Sequence, residues 1–302
     1  MSPESRPQSP ENRPQNPENR PLNPELGPHA AETPAGARSP DREGSPGTPE
    51  VLESIHSPSG NPAGAVDPAG IAANVAAVRE RVADAAARAG RDPGEVALVA
   101  VAKLFPAEAV RAVVAAGVAD VGENYAKDLE RKAAEVPGVR WHFVGRLQRN
   151  KAGVLVAAGA LVHSLDSLAG ARALGRRALA AGTTARALVQ VEVDDRPAAH
   201  GVRPTDLDGF LDACRAVDGL RVEGLMVMPA PADDPEATRP AFRRTAELAA
   251  RSGLAELSMG MTADFEVAVE EGATLIRVGT ALFGPRPTRR PAGDPSRGGS
   301  GR

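Results

Sequence analysis

The stretch Glu95-Val-Ala-Leu-Val-Ala-Val-Ala-Lys103, followed by Leu104, Phe105 and Pro106, decides the fold. Seven apolar residues in a row, three of them valine, predict an interior strand of a parallel sheet, because a surface strand would alternate polar with apolar positions. Pro106 then opens a helical stretch. Parallel sheets gather their chemistry at the carboxyl ends of their strands, so the run predicts that Lys103 delivers its amine to a mouth rather than to a core.

The pattern repeats on the carboxyl side. Strand-like runs are expected at Val96–Lys103, Ala119–Asn124, Val139–Gly145, Leu161–Asp166, Ala185–Val193, Arg221–Pro229, Glu256–Gly260 and Leu275–Phe283. Between them lie stretches rich in Ala, Leu, Arg and Glu, such as Pro106–Ala116, Ser167–Ala181 and Pro240–Ala250, that suit crossover helices. On the amino side, Ile71, Val75, Val78 and Val82 recur at helical spacing up to Gly90. Eight βα units in little more than two hundred residues predict a single TIM-type (βα)8 barrel over residues 67–284, with a doubly wound open sheet as the alternative.

The ends read differently. Of 28 prolines in 302 residues, 15 fall in residues 1–68 and four after Gly284, which predicts disordered tails at 1–66 and 285–302 around one domain. Arg-Pro recurs every seven residues at Arg6, Arg13 and Arg20, but prolines and the lack of an apolar seam exclude a coiled coil. The barrel segment is nearly neutral and aromatics are 3% of the chain, which argues against a nucleic-acid partner. No run is long and apolar enough for a membrane span, and a single cysteine, Cys214, cannot form an internal disulfide. A cytoplasmic monomer is expected.

The polar residues that close the strands are Lys103, Glu123-Asn124, His142, Ser164, Asp166, Ser258 and Arg277, with Met228 among them. Each has a plain structural reading as well: a solvated lysine, a packed core histidine, helix caps. Two segments resist that reading. Ser258-Met-Gly-Met-Thr262 joins the seventh strand to a helix expected from Ala263, and Gly279-Thr280 offers a second glycine turn after the eighth strand. In TIM barrels these loops often hold phosphate through backbone N–H groups. A phosphate cradle facing a lysine suggests pyridoxal 5'-phosphate, whose aldehyde takes an amine as a Schiff base, although an aldolase-like barrel would use the same parts.

Several ordered motifs carry a resemblance. Val99-Ala-Val-Ala-Lys103, Val121-Gly-Glu-Asn-Tyr125, Trp141-His-Phe-Val-Gly-Arg-Leu-Gln148, His163-Ser-Leu-Asp166, Gly224-Leu-Met226, Leu257-Ser-Met-Gly-Met-Thr262 and Arg277-Val-Gly-Thr-Ala-Leu-Phe-Gly284 closely resemble the pyridoxal phosphate homeostasis proteins, the YggS/PROSC family. The likeness runs from about residue 70 to 284 and implies the barrel of the alanine racemase N-terminal domain. It further implies that Lys103 carries the cofactor, that Ser258, Gly260, Thr262, Gly279 and Thr280 belong to the phosphate-holding segments, that Arg277 faces the pyridine nitrogen, and that Asn124 and His142 line the pocket. Two departures stand out. Phe105 replaces a second lysine of the usual Ser-Lys-x-Lys-Pro, and Arg149 replaces the usual serine after Leu-Gln.

The resemblance leaves open a carrier, an enzyme and an interaction module that senses the cofactor. An arginine cannot take the ring proton and so weakens the electron sink on which carbanion chemistry depends. Alanine racemase works with such an arginine, yet it also needs a tyrosine base from a neighbouring subunit's C-terminal domain. The sole tyrosine here, Tyr125, is expected to start a helix, and nothing after Phe283 reads as a second domain. The expectation is therefore a protein of cofactor homeostasis, not a catalyst, with cofactor-dependent apoenzymes as possible recipients.

Overall fold

In a computed structural model, residues 66–194 and 200–285 are described; both proline-rich ends of the sequence lie outside them. Eight parallel strands close on themselves in sequence order, so the barrel is correct and the open sheet is excluded. They are β1 Ala97–Val101, β2 Asp120–Glu123, β3 Arg140–Phe143, β4 Leu161–Leu165, β5 Ala185–Val191, β6 Leu220–Val227, β7 Glu256–Ser258 and β8 Leu275–Val278. The ring closes through β1 against β8, with Val99 opposite Arg277.

All eight expected strands form, but most are shorter than their apolar runs, and the last is broken. Leu275–Phe283 is not one strand: it stops at Val278, and Thr280–Phe283 makes a helical turn. Gly279, with φ −120° and ψ −71°, is the residue at which the chain leaves the sheet. Lys103 likewise lies two residues past the end of β1, in a turn rather than in the strand.

The helices form where apolar spacing and caps agree. The first, α1, spans Pro68–Arg88, with Asp67 accepting the Gly70 N–H at its start and buried Ile71, Val75, Val78 and Val82 along one stripe. The second, α2 (Ala107–Ala115), begins behind Pro106, and α3 (Ala126–Glu135) begins behind Tyr125. After the short α4 (Ala152–Ala157) comes α5 (Leu168–Ala180), capped by Ser167 rather than by Ser164 or Asp166. The ring is completed by α6 (Leu207–Arg215), α7 (Arg239–Arg251), α8 (Phe265–Glu270) and α9 (Thr280–Phe283). Cys214 is buried on α6, where loss of solvent pushes its thiol up to about 11.

Two apolar clusters result. The larger lies between strands and helices and includes Leu129, Leu155, Leu174, Phe242 and Phe265. The smaller, Val99, Leu161, Leu188, Met226 and Leu275, comes from all sides of the barrel. Among the described residues no helix is long and apolar enough to cross a membrane, and no group of His, Cys, Asp or Glu could hold a metal ion.

Candidate functional site

A cavity of about 270 Å³ opens among residues that follow the strands. Its wall takes Val101, Lys103 and Phe105 from the end of β1 and the turn beyond it, and Asn124, Val144 and Met228 from the first positions past β2, β3 and β6. The rest comes from Met261, Thr262 and Ala263 after β7, Arg277 within β8, and Gly279, Thr280 and Gly284 after it. A volume near the lower end for ligand sites suits one small cofactor.

Six of the nine residues singled out from the sequence meet at this wall: Lys103, Asn124, Thr262, Arg277, Gly279 and Thr280. The other three do not line it. Gly260 packs beneath, in a left-handed conformation at φ 88°, where an added Cβ would stand 2.6 Å from Ala268 Cβ and 2.9 Å from Phe265 Cα. Ser258 and His142 are buried in the barrel interior. The seventh-strand turn also differs from expectation, since α8 starts at Phe265 and the Met261 N–H is already taken by Asp264 Oδ1 at 2.6 Å.

The turn that bears Lys103 is tightly tied. Leu104 has φ 69°, a left-handed conformation that costs a branched side chain about 1 to 2 kcal/mol. Just before it, the Ala102 carbonyl accepts a 2.9 Å bond from Lys132 Nζ, and Lys132 also pairs with Glu123 Oε1 in full burial. Burial pushes the Glu123 carboxyl up, while the Lys132 ammonium pulls it down. In sequence Lys132 looks like an ordinary charged residue of an amphipathic helix.

Below the cavity runs a line of polar side chains. Arg277 donates to Ser258 Oγ at 2.6 Å and to the Val227 carbonyl at 3.0 Å. Ser258 Oγ lies 2.8 Å from His163 Nδ1, His163 Nε2 lies 2.8 Å from His142 Nδ1, and His142 Nε2 lies 2.9 Å from Asp120 Oδ1. Arg140 closes on Asp120 from outside the barrel end, its side chain 66% exposed. Burial opposes the Asp120 charge, but bonds from His142 and Arg140 outweigh it and set the carboxyl at about 2. Burial, with His142 and Arg277 nearby, holds His163 well below its ordinary value, and burial brings Arg277 down to about 10.

Comparison with known proteins follows the same outline. Residues 69–287 match the alanine racemase N-terminal domain. The pyridoxal phosphate homeostasis protein of Pseudomonas aeruginosa is 42% identical over 226 residues, covering 74% of this chain and 98% of that one. The chain belongs to this family. Its Deinococcus radiodurans relative of the same name is 43% identical, covering 70% of this chain and 99% of that protein. Among solved structures, PipY of Synechococcus elongatus PCC7942 with PLP bound superposes with a TM-score of 0.61 at 37% identity, covering 71% of this chain and all of that one. The likeness therefore spans the whole barrel, and the expected fold and family both stand.

Proposed function

We propose that the chain binds pyridoxal 5'-phosphate at the barrel mouth and serves intracellular cofactor homeostasis without substantial catalysis of its own. The observation that carries this reading is the meeting, in one small cavity, of Lys103, just past β1, with the Gly279-Thr280 turn that ends the neighbouring strand β8. The residues fit the group. Asn124 Oδ1 is buried with no hydrogen-bond partner among the described residues, so the wall holds an acceptor for which a ligand donor would compensate. At Gly279 a Cβ would stand 3.2 Å from the Val101 carbonyl, so a bare backbone there keeps the wall open.

When bound, the cofactor supplies a reactive aldehyde and an electron-withdrawing ring. Lys103 would hold it by condensing with that aldehyde, losing water reversibly, and Thr262, Gly279 and Thr280 would hold its phosphate. Arg277 would face the ring nitrogen, as the family likeness implies. No carboxylate, imidazole or phenol lines the cavity among the described residues, which supports a carrier over a racemase or decarboxylase that must move a proton on the far face. Release of the cofactor to dependent apoenzymes, and existence as a cytoplasmic monomer, complete the reading.

The test is absorption of the purified protein with the cofactor, before and after borohydride. Wild type should give a borohydride-fixed adduct on Lys103, and Lys103→Ala should give none; an adduct that moves to Lys127 or Lys151 would overturn the assignment. Lys103-dependent racemisation of alanine or serine above the rate of free cofactor would overturn the carrier reading.

A further inference from the structure

The polar line through the barrel has two ends of fixed chemistry. Arg277 can only donate, and the Asp120 carboxylate can only accept. With both imidazoles neutral, the direction of every bond follows from the Asp120 end. His142 Nε2–H meets Asp120, so His142 Nδ1 must accept, and the Nε2–H of His163 faces it. His163 Nδ1 is then unprotonated and takes the hydroxyl hydrogen of Ser258, 2.8 Å away, while Ser258 Oγ accepts from Arg277. Four strands, β2, β3, β4 and β7, contribute one link each, and β8 contributes the arginine.

We infer that Ser258, His163, His142 and Asp120 are positioning residues for Arg277, joined in a one-way hydrogen-bond chain that fixes the guanidinium at the cavity wall and commits both imidazoles to the neutral Nε2–H form. Two other arrangements satisfy the same contacts: a doubly protonated His142 beside Asp120, with His163 carrying its hydrogen on Nδ1, and a doubly protonated His163 donating to both His142 and Ser258. Each would bury a further cation in a line already anchored by Arg277 and Arg140, and the second also conflicts with the burial that keeps His163 uncharged. The surrounding charges are few. Arg140 and Arg186 act on Asp120, and Asp264 acts on Arg277.

The chain makes the inner layer matter to the cavity. Arg277 uses two of its donors on Ser258 and Val227, which sets the plane of the fork and the direction of the rest. A break anywhere along the line leaves a buried donor or acceptor alone and loosens the next residue up.

The deciding measurement is the imidazole nitrogen spectrum of the full chain without cofactor at pH 7, assigned with His142→Gln and His163→Gln. Two neutral rings protonated at Nε2 are expected. An imidazolium at His142, or a hydrogen on Nδ1 of His163, would overturn the chain. A second reading rests on the function proposed above: Ser258→Ala should weaken pyridoxal phosphate binding by roughly tenfold and displace the absorption band of the bound cofactor, and Ser258→Thr should restore both. If Ser258→Ala shifts neither the imidazole signals nor the band, the four residues are not acting on Arg277. Complete failure of the cofactor to bind wild type would sink the proposed function, while the imidazole spectrum would still decide the chain.

Discussion

The outer and inner faces of the same eight strands are built to different ends. Outward, toward the helices, the packing is mainly apolar, with Leu129, Leu155, Leu174 and Phe242 wholly buried and the Lys132–Glu123 pair set among them. Inward, five apolar side chains share the barrel with Asp120, His142, His163, Ser258 and Arg277. Polar groups in a closed interior cost several kcal/mol unless each finds a partner, and here each does. Fold stability thus resides chiefly in the outer face and site geometry in the inner one.

The sharpest break of that contrast is a single side-chain deletion. Leu174→Ala, on the outer face, should lower unfolding free energy by about 2 to 5 kcal/mol in denaturant titration and leave cofactor affinity unchanged. A matching loss of affinity would mean that the two faces are not separable. Next in size is the ligand's own phosphate. Pyridoxal should bind roughly a hundredfold more weakly than its phosphate ester by equilibrium titration, since about two charge-assisted bonds are forfeited. Equal affinity would show that the turns after β7 and β8 hold no phosphate.

The inner face should also betray itself by pH. Burial holds His163 neutral far below its ordinary 6.5, so the unfolded chain binds a proton that the folded chain refuses. Its contribution is whole above pH 6.5 and is lost as pH falls below that value, at up to about 1.4 kcal/mol per pH unit. Asp120, at about 2 against 3.8, adds its own loss only below about pH 4. The raised carboxyls of Glu123 and Asp264 have the opposite sign, so the quantity to measure is the difference in slope between wild type and His163→Gln over pH 5 to 7. Parallel slopes would mean that His163 is charged in the fold. The smallest effect is expected from removing residues 1–66: a stretch so poor in apolar residues cannot offset its ordering entropy, and a chain starting at Asp67 should keep its melting temperature. A clear drop would assign that stretch a role in the barrel's stability.

The sequence announced the barrel because hydrophobic runs separated by helical stretches survive any detail of packing. It also placed Lys103, Asn124 and the two glycine turns at strand ends, and these do meet. It did not show that His142 and Ser258 lie under the cavity instead of in its wall. Alternation along a strand tells which face a residue takes, but its height along the barrel axis depends on strand tilt and stagger, which no single strand encodes. The same gap hid the link from His142 to His163: they are 21 positions apart in sequence, and only the pairing of β3 with β4 puts their rings 5.1 Å apart. The misread end of β8 has a local cause, because Ala281, Leu282 and Phe283 continue the apolar run after Gly279 has already turned the chain.

Lys132, sealed against Glu123 and the Ala102 carbonyl, can serve as a sentinel for opening of the barrel. A water-soluble acylating reagent reaches its amine only when α3 lifts from β2, so the rate at which that amine is labelled would time the loosening of the segment that carries Lys103.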